Sequence, residues 1–284
     1  MAARIRRMLF PQFYPGDVRA QIAEFLARPA PPATPARELF AAAVPHAGWR
    51  YSGAVAARTL RALSERSSPE AVLLLGAVHR AHLDRAALYP EGEWETPLGP
   101  LAVDAALAAE IEGALPGLVE RNAAAHDTEH SLEVEAPMIR MVFPGVPVVP
   151  LMVPPERYAA EIGTRLARIA KGRRIVVVAS TDLTHYGNEY LFAPRGSGEE
   201  AHAWMRANDE RILDLARRLD AERIPREAEE NRNACGPGAL ASAAAFAREM
   251  GAPEGTVLER TDSHEVQGTA EPFRMAVGYA GVVF

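Results

Sequence analysis

Apolar and β-branched residues recur in short runs at Leu39–Val44, Ala71–Gly76, Val146–Val153, Arg174–Ser180, Thr256–Arg260 and Met275–Phe284, and each run reads as a strand. Between several of them the apolar period lengthens to that of a helix. Val18, Ile22, Phe25 and Leu26 fall on one face of Val18–Arg28, and Asp104–Leu115, Arg157–Lys171, Glu199–Asp220 and Gly238–Met250 have the same character. Strands alternating with helices predict a layered α/β domain whose central sheet, parallel or mixed, is flanked by helices. Pro29–Pro35, Tyr89–Pro100 and Ala193–Gly198 read as loops, the second as a hairpin or lid. None of them separates two self-sufficient apolar sets, so a single domain over residues 1–284 is expected.

Composition narrows the function classes. With 37 acids against 31 bases the net charge is −6, which argues against a nucleic-acid or anionic-membrane partner, since either needs a basic face. The lone cysteine, Cys235, forbids an intramolecular disulfide and fits a reducing compartment, so a cytoplasmic location is expected. The uncharged stretch Met141–Pro155, which no other exceeds in length, holds five prolines and is too short to span a bilayer. No G-x-G-x-x-G, P-loop, G-x-S-x-G or H-E-x-x-H signature is present, which removes the best support for NAD, NTP or serine-hydrolase chemistry.

The candidate chemistry lies at strand ends. His46 follows the strand Leu39–Val44, His79 follows Ala71–Gly76, and Asp182 and His185 follow Arg174–Ser180. Loops leaving the carboxyl ends of parallel strands converge on one crevice, where ligands bind. His126–Glu133 is dense in ligand-type side chains, among them His130. It leads into an apolar helix-like run ended near Pro137, with Thr128 or Ser131 as N-cap; the alternative reading of the acids Glu129–Glu135 is an ordinary wet helix face. Cys235 stands just before the helix Gly238–Met250, where the helix dipole favours a thiolate. Two imidazoles and a thiolate make a three-ligand site with an open position, as in a catalytic metal centre, and suit zinc, copper or iron. His185 is placed as an acid/base whose tautomer the Asp182 carboxylate can fix.

P-H-A-G-W-R-Y-S-G at 45–53, L-G-A-V-H at 75–79, E-H-S-L-E-V-E-A-P at 129–137, S-T-D-L-T-H-Y-G at 180–187, A-C-G-P at 234–237 and V-G-Y-A at 277–280 together resemble the Memo family. Its bacterial and archaeal members are called AmmeMemoRadiSam system protein B. The resemblance implies a fold similar to the class III extradiol ring-cleaving dioxygenases, which use non-haem Fe(II). It implies metal positions at His46, His79 and Cys235, acid/base positions at Asp182 and His185, and His130 lining the same cleft. It also implies radical-SAM and AMMECR1-like partner proteins. Two departures stand out: Gly76-Ala77-Val78-His79-Arg80 replaces G-P-x-H-H, and Ala136-Pro137 replaces Leu-Pro. The expected function is a metal-dependent oxidoreductase of extradiol-dioxygenase type acting on an aromatic or enolisable small molecule. Fe(II) is the expected cofactor, with Zn or Cu as alternatives. A Zn-dependent hydrolase and a non-catalytic binding or scaffold protein using the same cleft are the competing readings.

Overall fold

Four strands with fully buried side chains run parallel through the centre of the molecule: β2 (Ala41–Val44), β3 (Ala71–Gly76), β8 (Val148–Met152) and β9 (Ile175–Ser180). They are seen in a computed structural model that describes residues 4–284, so the first three residues of the expected domain lie outside it. Alternate side chains pass to opposite faces, as strand geometry requires. Val72 and Leu74 enter one hydrophobic cluster, while Leu73 and Leu75 enter the other. A sheet buried on both sides needs apolar residues at every position, which is why these strands read as unbroken apolar runs.

Chain order and spatial order differ, and the difference makes the site. The neighbours run β2-β9-β3-β8, so the late strand β9 is inserted between β2 and β3. Their three carboxyl ends therefore lie side by side. Beyond β2 the antiparallel strand β12 (Ala276–Val283) continues the sheet and also pairs β10 (His185–Tyr186) and β11 (Thr256–Asp262). Beyond β8 come β4 (Ala86–Leu88), antiparallel to it, and β7 (Val119–Arg121). The mixed sheet matches the layered α/β architecture expected, and is compatible with the extradiol-dioxygenase-like fold that the resemblance implies. Tyr89–Pro100 is the start of a small hairpin, β5 (Glu93–Trp94) against β6 (Leu101–Ala102), with β1 (Ile5–Arg6) parallel to β5.

Helices cover both faces. α1 (Val18–Ala27), α2 (Trp49–Ser67) and α4 (Ala136–Val142) pack on one side, and α3 (Ala105–Ala114), α5 (Ala159–Ala170), α6 (Glu199–Arg217), α7 (Ile224–Asn231) and α8 (Pro237–Met250) on the other. α9 (Ser263–Gln267) follows β11. The 19-residue α2 has no counterpart among the elements expected: it buries Trp49, Val55, Leu60 and Leu63, but Ser52, Gly53, Ala56, Ala57, Thr59 and Ala62 make up the rest of its buried face. Small residues let it lie close on the sheet and weaken the hydrophobic period. α7 is equally hidden, by its charged composition.

One expectation is overturned at α4. Pro137 lies in the first turn of that helix and does not end it; its missing N–H costs nothing there. Neither Thr128 nor Ser131 caps a helix start. The acids before it are not a wet face either: Glu129, Glu133 and Glu135 are all buried.

Candidate functional site

The residues singled out at strand ends and those singled out ahead of helices come together. His46, His79 and His130 have ring centroids 4.6–5.3 Å apart, and the Cys235 thiol lies 3.3 Å from His46 Nε2. His46 follows β2, His79 follows β3 and Cys235 precedes α8, so three distant segments meet over the end of β9.

Cys235 reaches this point because its flanking glycines permit close approach. A Cβ on Gly236 would stand 2.4 Å from the Ser180 carbonyl oxygen, and one on Gly238 would stand 2.3 Å from that of Pro154. The start of α8 is thereby pressed against the ends of β9 and β8. The Gly236 N–H donates to Thr181 Oγ1 at 2.9 Å, and the Asp182 N–H points to the Cys235 sulfur at 3.2 Å. Burial pushes the Cys235 thiol up, against the expectation from the helix dipole, while His79 opposes that rise. Without a metal it is a protonated thiol facing His46.

His46 and His79 each have a second ring nitrogen tied, and in His46 this sets the tautomer. Ser180 Oγ gives its one proton to the Ser131 carbonyl (2.8 Å), so it accepts from His46 Nδ1–H at 2.8 Å. His46 Nε2 is then a bare lone pair turned toward Cys235. Burial together with the neighbouring His79 and His130 holds His46 well below the usual imidazole range, hence neutral. His79 Nδ1 meets Glu129 Oε1 at 2.8 Å, and Glu129 also accepts the backbone N–H groups of His79, His130 and Ser131. Burial lowers His79, but Cys235 and Glu129 outweigh it and the net shift is upward. Glu129 stays ionised: its hydrogen bonds, led by the one from His79, override the cost of burial. A carboxylate behind a histidine is the support that a metal-ligating imidazole commonly has.

His130 stacks on Phe13, with centroids 5.0 Å apart. Burial and the charge on His79 lower its pKa to about 4, so it is neutral. His185 lies on the other side of a cavity of about 370 Å³, lined also by Phe13, Tyr51, Asp182, Tyr190 and Tyr279. Its Nδ1–H donates to the Leu183 carbonyl at 3.1 Å, which leaves Nε2 as a free base. This corrects the expected Asp182–His185 relation, because a carbonyl and not the carboxylate fixes the tautomer. Asp182 Oδ1 instead accepts the N–H groups of His46 (2.8 Å) and Ala47 (3.3 Å), holding the turn that presents His46. Burial raises Asp182 to about 7.

Several supporting residues carry no signal in the sequence. Arg6 is buried against Glu133, and Glu133 also accepts from Leu9 N, Phe10 N and Tyr14 Oη. That knot fixes the N-terminal segment bearing Phe13 over the histidines. Asn208 and Asp209 on α6 hold Thr184, through its hydroxyl (3.1 Å) and its N–H (2.9 Å). Buried polar residues such as these look like ordinary surface charge until the chain is folded.

An α/β sheet that collects imidazoles and one thiol at its carboxyl edge, at a change in strand order, defines a class of protein with a buried His/Cys centre. Residues 11–283 match the family model described as Memo-like protein. MEMO1 family proteins are similar over most of their length: that of Thermococcus kodakarensis is 35% identical over 87% of both chains, and that of Pyrococcus abyssi 34% over 96% of both. The chain belongs to the Memo family. A crystal structure of an uncharacterized protein from Escherichia coli K12 shares the fold, with a TM-score of 0.52 and 16% identity over 85% of this chain and 99% of that one.

Proposed function

We propose that this protein is a metal-dependent oxidoreductase of extradiol-dioxygenase type, with His46, His79 and Cys235 as the metal ligands. The reading is carried by one observation. His46 Nε2 and Cys235 Sγ face each other at 3.3 Å while the other ring nitrogens of His46 and His79 are tied to Ser180 and Glu129. Such a donor set, two oriented imidazoles and one thiol that can lose its proton, fits a first-row metal with an open side. Fe(II) is the proposed ion. When bound, it supplies Lewis-acid activation of substrate oxygens and a site for dioxygen.

The chain's own residues do the rest. Phe13, Tyr51 and Tyr190 wall the cavity with aromatic surface, which suits a planar aromatic or enolisable substrate. His185 Nε2 takes a hydroxyl proton as the substrate binds, and burial, by lowering its pKa, keeps it deprotonated for that task. His130, neutral and stacked on Phe13, orients the substrate from the opposite wall. Asp182 acts by positioning His46. Among the described residues no helix is long and apolar enough to cross a membrane. We place the protein in the cytoplasm, with radical-SAM and AMMECR1-like proteins as partners.

The thiolate donor favours zinc enough to keep a hydrolytic reading alive. Metal analysis of anaerobically purified protein separates the two. About one Fe per chain, lost in Cys235→Ala, with oxygen uptake on a catechol, is the expected result. Tightly held Zn without oxygen uptake favours hydrolysis. No metal in the wild type, and ligand binding unchanged in His46→Ala, overturns both and leaves a binding protein.

A further inference from the structure

The cavity over the histidines continues outward. A second cavity of about 460 Å³ shares His79, His185 and Tyr190 with the first and adds Cys235, Glu229 and Arg232. Arg232 is unusual in three respects. It caps α7 in the left-handed conformation, with φ of 51°, where glycine or asparagine is the ordinary choice. Its guanidinium is held in place: Nη1 donates to the Leu191 carbonyl (3.1 Å), Nη2 to the Tyr190 carbonyl (3.0 Å), and Cζ sits 4.6 Å over the Phe192 ring. Lastly, its charge has no counterion. Arg211, Arg223 and Arg226 near it are paired with Glu227, Asp220 and Glu230, whereas among the described residues no carboxylate lies within 4.0 Å of Arg232.

Two carbonyls satisfy only part of a fork of five donors and neutralise none of its charge. A strained backbone residue that holds a pre-oriented cation at the mouth of a cavity is a recognition device. We propose that Arg232 is a specificity-determining residue that receives a carboxylate of the substrate, so that the substrate class is an acid whose reacting end lies among His46, His79 and His185. Glu229 lines the same outer cavity, and its charge selects a singly charged carboxylate over a phosphate dianion. The proposal rests on the metal-dependent reading for the reacting end, but the carboxylate contact is tested independently of turnover.

Calorimetric titration of Fe(II)-loaded protein under anaerobic conditions compares two probes of similar shape, 3,4-dihydroxyphenylacetate and neutral 4-ethylcatechol. Phenylacetate, which carries the acid alone, is the third. The wild type is expected to bind the acid catechol about ten- to a hundredfold more tightly than the neutral one. Arg232→Gln should erase that preference and leave 4-ethylcatechol within about twofold, which also serves as the check that the site is folded. Arg232→Lys should retain part of it. Equal affinities in the wild type, or absence of binding by any probe, overturn the proposal without reference to a variant. So does an equal loss for both catechols in Arg232→Gln, because Arg232 then only clamps the Tyr190–Phe192 turn. If the acids bind through Arg232 but removing the metal leaves both catechols unaffected, the carboxylate site stands and the metal-dependent reading fails.

Discussion

Ser180 Oγ accepts the Nδ1 proton of His46 at 2.8 Å while passing its own proton to Ser131, and this single hydroxyl decides which face of the imidazole is basic. Ser180→Ala removes that decision without changing the sheet. Metal affinity is expected to fall about 10- to 100-fold, the usual effect of losing such a support, while the circular dichroism spectrum is unchanged. Competition with a chromophoric chelator measures it.

The Arg6–Glu133 pair is wholly buried, with both side chains 1% exposed, and Glu133 serves three further donors. Glu133→Ala leaves an arginine charge without a partner in the interior. Urea denaturation should show a loss of about 3–5 kcal/mol. The double change Arg6→Met with Glu133→Leu should lose less than the single one, because no charge is then stranded. A double mutant as unstable as the sum of the two singles would disprove this account.

His126 predicts an acid-sensitive step. It is fully buried, its Nε2–H donates to the Ala87 carbonyl at 2.9 Å, and its Nδ1 has no partner. Burial is the main cause that lowers its pKa to about 4, the Arg6 charge adding to it. The unfolded chain therefore takes up a proton at this residue near pH 6.5 that the folded chain refuses until about pH 4. Stability from this residue is complete above pH 6.5 and is lost as the pH falls through that window, by about 3 kcal/mol in all. His126→Gln keeps a donor to Ala87 but does not titrate. Its loss of stability over the same window should be smaller than that of the wild type by about 3 kcal/mol, as chemical denaturation at several pH values would show.

Glu135 has the opposite sign. Neither carboxyl oxygen has a hydrogen-bond partner, and burial, with Asp182 nearby, raises its pKa well above the ordinary range. The folded chain keeps a proton that the unfolded chain releases above about pH 4.5, so its contribution falls as pH rises. Glu135→Gln or Glu135→Met should raise the melting temperature, and by more at pH 8 than at pH 5. An equal or smaller gain at pH 8 would contradict the assignment.

How much of this was legible in the chain varies residue by residue. His46, His79, Asp182 and His185 stand in motifs at strand ends, His130 and Cys235 in motifs ahead of helices, and the structure brings all six to one place. Ser180 and Glu129 do not announce themselves, because a serine ending a strand and a glutamate beside a histidine are common. Their importance comes from partners 134 and 50 residues away. Arg6 and Glu133 are likewise read as surface charge until their burial is seen. α2 escaped because Ala, Gly, Ser and Thr fill more than half of its buried positions and dilute the contrast that Trp49, Val55, Leu60 and Leu63 supply.

The central parallel strands, β11, β12, the helices α1, α3, α5, α6 and α8 and the residues able to hold a metal follow from local apolar period and side-chain chemistry alone. The sequence also carried the family motifs. That β9 enters between β2 and β3, and so that His46 and His79 flank the end of one strand, belongs to the folded chain. The fold likewise sets the tautomers of His46, His126 and His185, the burial of Glu129, Glu133 and Glu135, and the exposure of Arg232 to the outer cavity. Strand order and burial are set by contacts between residues far apart in the chain, and proton positions are set by hydrogen bonds that exist only after those contacts form.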